Sequence, residues 1–143
     1  DCTFIDCNLS NANLTKTSFQ TVKFSGCKMI GLQFENCHTF GLSFEFSDCS
    51  LNYASFYQLQ LKKITFKECQ LQEVDFTRCD LSDGVFDTCD LTRAVFDTVN
   101  LEKADFRTAT NYSIDPEKNR IKKAKFSLAG ISGLLDKYDI KIS

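Results

Sequence analysis

The sequence predicts an all-β fold, a four-sided solenoid of about six turns finished by a C-terminal capping helix. Three observations predict it: a large apolar residue recurs at every fifth position, Phe and Leu alternate there, and Cys recurs at a spacing of twenty. From residue 51 the large position reads Leu51, Phe56, Leu61, Phe66, Leu71, Phe76, Leu81, Phe86, Leu91, Phe96, Leu101 and Phe106. Two residues before each sits a mostly smaller one, such as Cys49, Ala54, Cys69, Val74, Gly84 or Ala94, and the other three positions are mainly polar. The same pattern runs earlier through Phe4, Leu9, Leu14, Phe19, Phe24, Met29 and Phe34.

Neither a helix, with period 3.6, nor a plain strand, with period 2, repeats every five residues. Five residues do accommodate an in–out–in segment, a minimal strand with alternating faces, followed by two corner residues. Phe and Leu alternate with period ten, so like stacks on like only if the coil has an even number of sides. Cys49, Cys69 and Cys89 are spaced by twenty, as are Cys7 and Cys27, which selects four sides. Cys27 to Cys49 is twenty-two and places a two-residue insertion within 37–46, where Thr39 falls at a large position and Phe44 competes with Phe46.

Residues 1–126 are thus expected to form the solenoid, irregular near 37–46 and looser over 107–123, where the pattern lapses from Asn111 to Asn119. It resumes at Ala124 and Phe126, and Phe106 to Phe126 is again twenty residues. At about 4.8 Å between hydrogen-bonded strands, six turns make a rod on the order of 30 Å long. After Ser127, a good N-cap, Leu128, Ile131, Leu134, Leu135 and Tyr138 recur at helical spacing, so residues 127–143 are expected to hold a capping helix over 128–138. An open coil end exposes apolar side chains and edge backbone, which is why a cap is needed. The tail Asp139–Ile142 alternates like a strand and invites pairing with a second copy. Leu134, Leu135, Tyr138, Ile140 and Ile142 are the expected interface of a homodimer.

Composition narrows function mainly by exclusion. The 143 residues carry 17 Lys and Arg against 19 Asp and Glu, a net charge of −2 that argues against direct nucleic-acid binding. No apolar run approaches the roughly 18 residues needed to cross a bilayer, and no secretory-signal pattern opens the chain. A cytoplasmic protein without a membrane partner is expected. The chain opens at Asp1, without Met and already inside the pattern, which predicts a trimmed or disordered stretch upstream.

All eight Cys fall on the small inward position, no CxxC occurs, and the spacings are those of the repeat rather than of a ligand loop. They are expected to pack as small hydrophobes in a reducing compartment rather than to hold zinc or form disulfides. His38, the single histidine, has no Asp or Ser beside it in a catalytic arrangement and reads as a loop residue. With no nucleophile–base pair, metal cluster or phosphate loop, neither an enzyme nor a cofactor is expected.

The one surface pattern that points to function is acidic. Glu73, Asp75, Asp80, Asp83, Asp87, Asp90 and Asp97 stand at outward positions of one stretch, against only Arg78 and Arg93. Distributed over known sides, they make a girdle around roughly one turn. Such a rod, of about duplex width, would steer towards a basic DNA-binding groove. Asp also caps tight corners, so the same residues fit a scaffold whose acids serve turns and solubility. Lys118, Arg120, Lys122, Lys123 and Lys125 form a basic run, read either as a solvated corner or as contact with an acidic partner.

The repeating motif, small–polar–Leu/Phe–polar–polar, resembles that of the pentapeptide-repeat proteins, closely so in Cys69–Phe76 and Ala104–Phe106. The resemblance covers about residues 1–126 and implies a right-handed quadrilateral β-helix. The end segment, Ala124–Ser127 followed by a helix and Asp139–Ile142, is similar to the dimerisation module of the quinolone-resistance (Qnr and MfpA) branch. That similarity implies a protein that mimics DNA and binds DNA gyrase and topoisomerase IV. Qnr proteins carry projecting loops, whereas only two extra residues occupy the comparable stretch near Phe40–Phe46; a loop-free mode like that of MfpA fits this.

Overall fold

The computed structural model describes residues 2–143, and these coil into a parallel β-solenoid. Five short strands stack in sequence order in one sheet: β1 (Cys2–Ile5), β2 (Val22–Ser25), β3 (Phe44–Ser47), β4 (Thr65–Lys67) and β5 (Val85–Asp87). Their registers, Phe4 on Phe24, Phe24 on Phe46, Phe46 on Phe66 and Phe66 on Phe86, place like on like. Four turns separate β1 from β5, and the bridges Val85–Asp105 and Asp105–Lys125 carry this side through two more. We call it side 1. The sides that follow along the chain are side 2 (Lys28, Ser50, Gln70, Asp90), side 3 (Gln33, Ser55, Asp75, Val95) and side 4 (Gln60, Asp80, Asn100, Arg120), each column joined by parallel bridges.

Why Phe and Leu alternate is visible in the core. Phe from sides 1 and 3 fills the interior from opposite walls, while Leu51, Leu71, Leu91 and Leu61, Leu81, Leu101 line the other two, all at most 3% exposed. Along side 1 the rings stack, as in Phe66–Phe86 at 5.3 Å and Phe86–Phe106 at 4.6 Å, and across the core they meet edge-on, as in Phe76–Phe86 at 6.0 Å and 88°. Both geometries suit the ring quadrupole. At most corners the second residue is left-handed, for instance Tyr53 (φ 64), Lys63 (φ 66) and Glu73 (φ 57). The backbone N–H of each is bonded to the next coil, as in Tyr53 N–H to the Gln72 carbonyl at 2.9 Å, which offsets the conformational cost.

The insertion sits at the expected corner. Phe44 and Phe46 do not compete for one site: both are buried, as Val22 and Phe24 are one coil earlier, and Phe44 packs on Phe19 and Phe34 at 5.2 and 5.4 Å. The extra residues bulge instead through the left-handed Gly41 (φ 67), leaving Phe40 85% exposed.

The expected capping helix is corrected. Residues 128–138 form a turn and two 3-10 helices, Ile131–Leu134 and Asp136–Tyr138, rather than an α-helix. Ser127 does cap, its Oγ accepting the Gly130 N–H at 3.1 Å. Two features stop regular helix here. Gly130 and Gly133 are poor helix formers, and both press against Tyr112 so closely that a Cβ on either would overlap it. The Gly133 carbonyl also leaves the helical pattern to accept the Ile114 N–H at 2.9 Å.

Tyr112 explains the looser turn. It is buried against Phe106 and Phe126, so an aromatic outside the five-residue register closes the core. Burial pushes its phenol above the usual range, opposed by Ser127. Asn119, buried one coil beyond Val99, also works as a plug. Its Nδ2 donates to the Phe96 and Asp115 carbonyls at 3.0 and 2.9 Å, and its Oδ1 accepts the Val99 N–H at 2.9 Å.

Candidate functional site

The surface follows from the corner chemistry. Where an outward strand position holds Asp, its carboxylate commonly accepts the backbone N–H two residues on: Asp75 from Thr77 at 2.8 Å, Asp80 from Ser82 at 3.0 Å, Asp90 from Thr92 at 3.0 Å. The Thr or Ser hydroxyl of the same residue donates to the same oxygen, at 2.7 Å for Ser82 and 2.6 Å for Thr92. This is the Asx arrangement that favours Asp at turns. Burial works against ionised Asp90, but hydrogen bonds from Thr92, Asn111 and Gln72 outweigh it and hold the carboxyl below the usual carboxylate range.

The seven acids occupy all four sides. Asp87 ends β5 on side 1, Asp90 lies on side 2, Asp75 on side 3 and Asp80 on side 4, and Glu73, Asp83 and Asp97 stand at corners. Asp97 is the most open of them; the other six are half-buried. Glu73 faces Arg93 at 3.7 Å, and Asp87 accepts from Thr88 and Thr108 at 2.9 and 3.1 Å.

One side breaks the girdle. Side 4 and its flanking corners, over residues 57–63, 77–83, 97–103 and 117–123, gather the cations of four coils. Arg78 and Lys118 stand at one corner, Lys62, Lys63, Lys103, Lys122 and Lys123 at the other, and Arg120 between them. Against these eight stand Asp80, Asp83 and Glu102 and, at the corners, Asp97 and Glu117, a local net charge of +3 on a chain of −2. Reading along the chain finds only the last of these clusters, 118–125; the others join it once residues twenty apart are stacked.

The thiols lie inside. Cys27, Cys37, Cys49, Cys69, Cys79 and Cys89 are buried, Cys7 is half-buried and Cys2 exposed, and all eight are free. Their position has a polar use as well: Cys79 Sγ donates to the Phe56 carbonyl at 2.8 Å and Cys89 to that of Phe66 at 3.3 Å, each from the coil before. Asn119 makes the same contact with Phe96 from the same inward column, which is the signal that would have located it. Among the described residues no group of His, Cys, Asp and Glu is arranged to hold a metal ion.

At the C-terminal end Leu134 packs on the core and Leu135 is half-buried, while Tyr138, Ile140 and Ile142 are 53%, 57% and 54% exposed. Lys137 ties this end down, reaching Glu117 at 2.9 Å and Asp115 at 3.1 Å.

A family profile described as a pentapeptide repeat region matches residues 1–76, and one described as pentapeptide repeats in 8 copies matches residues 69–107. The chain belongs to the pentapeptide-repeat family. No curated protein sequence matches it. Among solved structures it is similar to a trypsin-treated form of QnrB1, a plasmid-mediated fluoroquinolone resistance protein, with 18% identity, TM-score 0.36, and 99% of this chain and 89% of that one covered. It is likewise similar to HetL, from the cyanobacterium Nostoc and involved in heterocyst differentiation regulation, with 18% identity, TM-score 0.45, and 85% and 61% covered. A pentapeptide-repeat protein of the Arabidopsis thaliana thylakoid lumen is 18% identical, with TM-score 0.42 and 77% and 65% covered. Family membership rests on the repeat profiles, not on these overlays. No helix among the described residues is long and apolar enough to cross a membrane.

Proposed function

We propose that this pentapeptide-repeat protein is a cytoplasmic, non-enzymatic binder of DNA gyrase or topoisomerase IV that presents carboxylates where a duplex presents phosphates. The observation behind the reading is the regular outward placement of Asp75, Asp87 and Asp90 on sides 1 to 3 of a narrow rod, with Asp97 at a corner. Regular negative charge steers a partner's basic groove over a Debye length and is screened by salt. Asp87 and Asp97 are the residues to reverse, because neither accepts the backbone N–H two residues on, as Asp75, Asp80 and Asp90 do. Asp87→Lys with Asp97→Lys is expected to weaken inhibition of gyrase supercoiling about tenfold, with a midpoint that rises steeply with salt. Supercoiling untouched by micromolar wild-type protein, with or without a fluoroquinolone, sinks the proposal.

A scaffold reading has its own support, since Asp75, Asp80 and Asp90 are engaged in capping corners. In that case the double reversal leaves every partner interaction intact.

We also infer a homodimer through Leu134, Leu135, Tyr138, Ile140 and Ile142. The support is the run of exposed apolar side chains at the end of the coil, Tyr138, Ile140 and Ile142, joined by Ile131 at 44%. Ile140→Lys with Ile142→Lys is expected to halve the mass seen by sedimentation equilibrium. A wild-type protein already monomeric at about 100 μM removes the dimer.

A further inference from the structure

We propose that side 4 is a second, independent binding surface, a basic trough that takes an extended acidic segment of a partner protein along the coil axis. This does not rest on the gyrase reading, which uses the other three sides and Asp97 at the corner.

The trough has a floor and two rims. Its floor is short side chains, Ser82 and Asn100 with Asp80, and its rims are the long cations of the two corners, which together enclose shallow concavities of about 430 and 370 Å³ side by side. Four of the five acids here are engaged, leaving Asp83: Asp80 accepts from Ser82, Asp97 accepts from Thr98, Glu102 binds Arg120 at 2.7 Å and Glu117 binds Lys137 at 2.9 Å. The rim cations are not. Lys62, Lys63, Lys103, Lys122 and Lys123 are exposed and form no ion pair among the described residues. Elsewhere on the rod Lys23 is matched by Glu45 at 3.4 Å and Arg107 by Asp105 at 2.8 Å, while Lys16, Lys28 and Lys67 form no ion pair among the described residues. A surface that gathers eight cations, seven of them in no ion pair, against five acids suits an anionic ligand.

Dimensions select the ligand. From Lys63 to Lys123 is three turns, about 14 Å, the reach of four or five residues of extended chain. A nucleic-acid duplex is wider than one side of the coil and would lay phosphates over Asp97 at the corner and Asp75 on side 3, within a Debye length of about 8–10 Å. A single acidic peptide strand meets only the trough. Adjacent carboxylates, Glu or Asp, are the chemistry that the paired corners recognise.

The test is fluorescence anisotropy of a labelled oligoglutamate peptide against the full chain, at about 50 mM and about 300 mM salt. Lys103→Glu with Lys123→Glu is the trough variant. Both positions are left-handed, at φ 62, and Glu68 and Glu73 show that glutamate sits at such corners, at φ 53 and 57. Lys28→Glu with Lys141→Glu changes the net charge equally but lies off side 4. The trough variant should raise the peptide Kd about tenfold or more and the control less than about twofold, with high salt abolishing both differences. Lys62→Glu with Lys122→Glu, at corner positions that are not left-handed, serves the same purpose if the first variant loses its far-UV spectrum. The proposal is overturned by no binding at low salt, by equal loss in both variants, or by an oligothymidylate of matched length binding as tightly as the peptide.

Discussion

Phe86→Ala is expected to destabilise the protein by about 3–5 kcal/mol, the range for an aromatic deleted from a core that cannot collapse around the gap. The ring has no exposure and four aromatic neighbours: Phe66 and Phe106 stacked at 5.3 and 4.6 Å, Phe76 and Phe96 edge-on at 6.0 and 6.4 Å. Two properties of the coil prevent relaxation. The backbone on either side is locked by hydrogen bonds to the coils before and after, and each neighbouring ring is itself held by the next in its column. A graded series gives the test its resolution. Phe4, half-buried at the coil end with one ring partner, Phe24 at 5.1 Å, should cost clearly less. Phe40, 85% exposed, should cost under about 0.5 kcal/mol. Urea midpoints are expected to fall in the order Phe40→Ala, Phe4→Ala, Phe86→Ala. A Phe86→Ala midpoint within about 1 kcal/mol of wild type would mean that the rings are not packed as a column.

The period of five made the solenoid legible because the corner geometry demands it. Two residues turn each corner and three span each side, so composition repeats wherever that geometry does, and the spacing of Cys27 and Cys49 locates the one bulge. The C-terminal segment was less legible for the opposite reason. Leu128, Ile131, Leu134, Leu135 and Tyr138 do recur at helical spacing, but contact with Tyr112 at Gly130 and Gly133 decides the backbone there. Tyr112 lies outside the register, so no periodic reading places it. The candidate site divides along the same line. The acids of residues 73–97 are close in sequence and stand out at once, whereas the basic side is assembled from Lys62, Arg78, Lys103 and Lys122, in four different coils. Charge that is local in the chain is spread around the rod, and charge that is scattered in the chain is gathered on one side of it. A function inferred from a linear cluster in a twenty-residue solenoid therefore has to be checked against the columns.

That columnar logic extends to the thiols and yields the second large effect, a loss of stability in alkali that begins near pH 9. Burial pushes the Cys79 thiol from its ordinary 9.0 up to about 12, partly opposed by its backbone hydrogen bond, with Asp75, Glu35 and Asp80 adding to the rise. Burial also raises Cys27 and Cys37, and Cys49 is raised first by its hydrogen bond with Cys69 and then by burial. Each of these groups prefers the neutral thiol in the folded chain. Its contribution is whole below the unfolded value near 9.0, shrinks as the unfolded thiol ionises, and is lost as pH rises through the folded value. At pH 10 the Cys79 share alone amounts to about 1.4 kcal/mol, one pH unit of differential ionisation. The other three act in the same sense, while Cys89, lowered by its hydrogen bond with Cys69, acts against them. Urea unfolding under a reductant is expected to give stability that is flat from pH 7 to 8.5 and falls steadily from pH 9 to 10. That window ends before Lys137, raised to about 12 by Glu117 and Asp115, starts to lose its own contribution above 10.5. Cys79→Ala should make the fall shallower by one thiol, and alanine already fills the same inward position at Ala54, Ala94 and Ala104. Stability unchanged between pH 8 and 10 would show that these thiols ionise as readily in the folded chain as in the unfolded one, and that the interior of the coil is open to water.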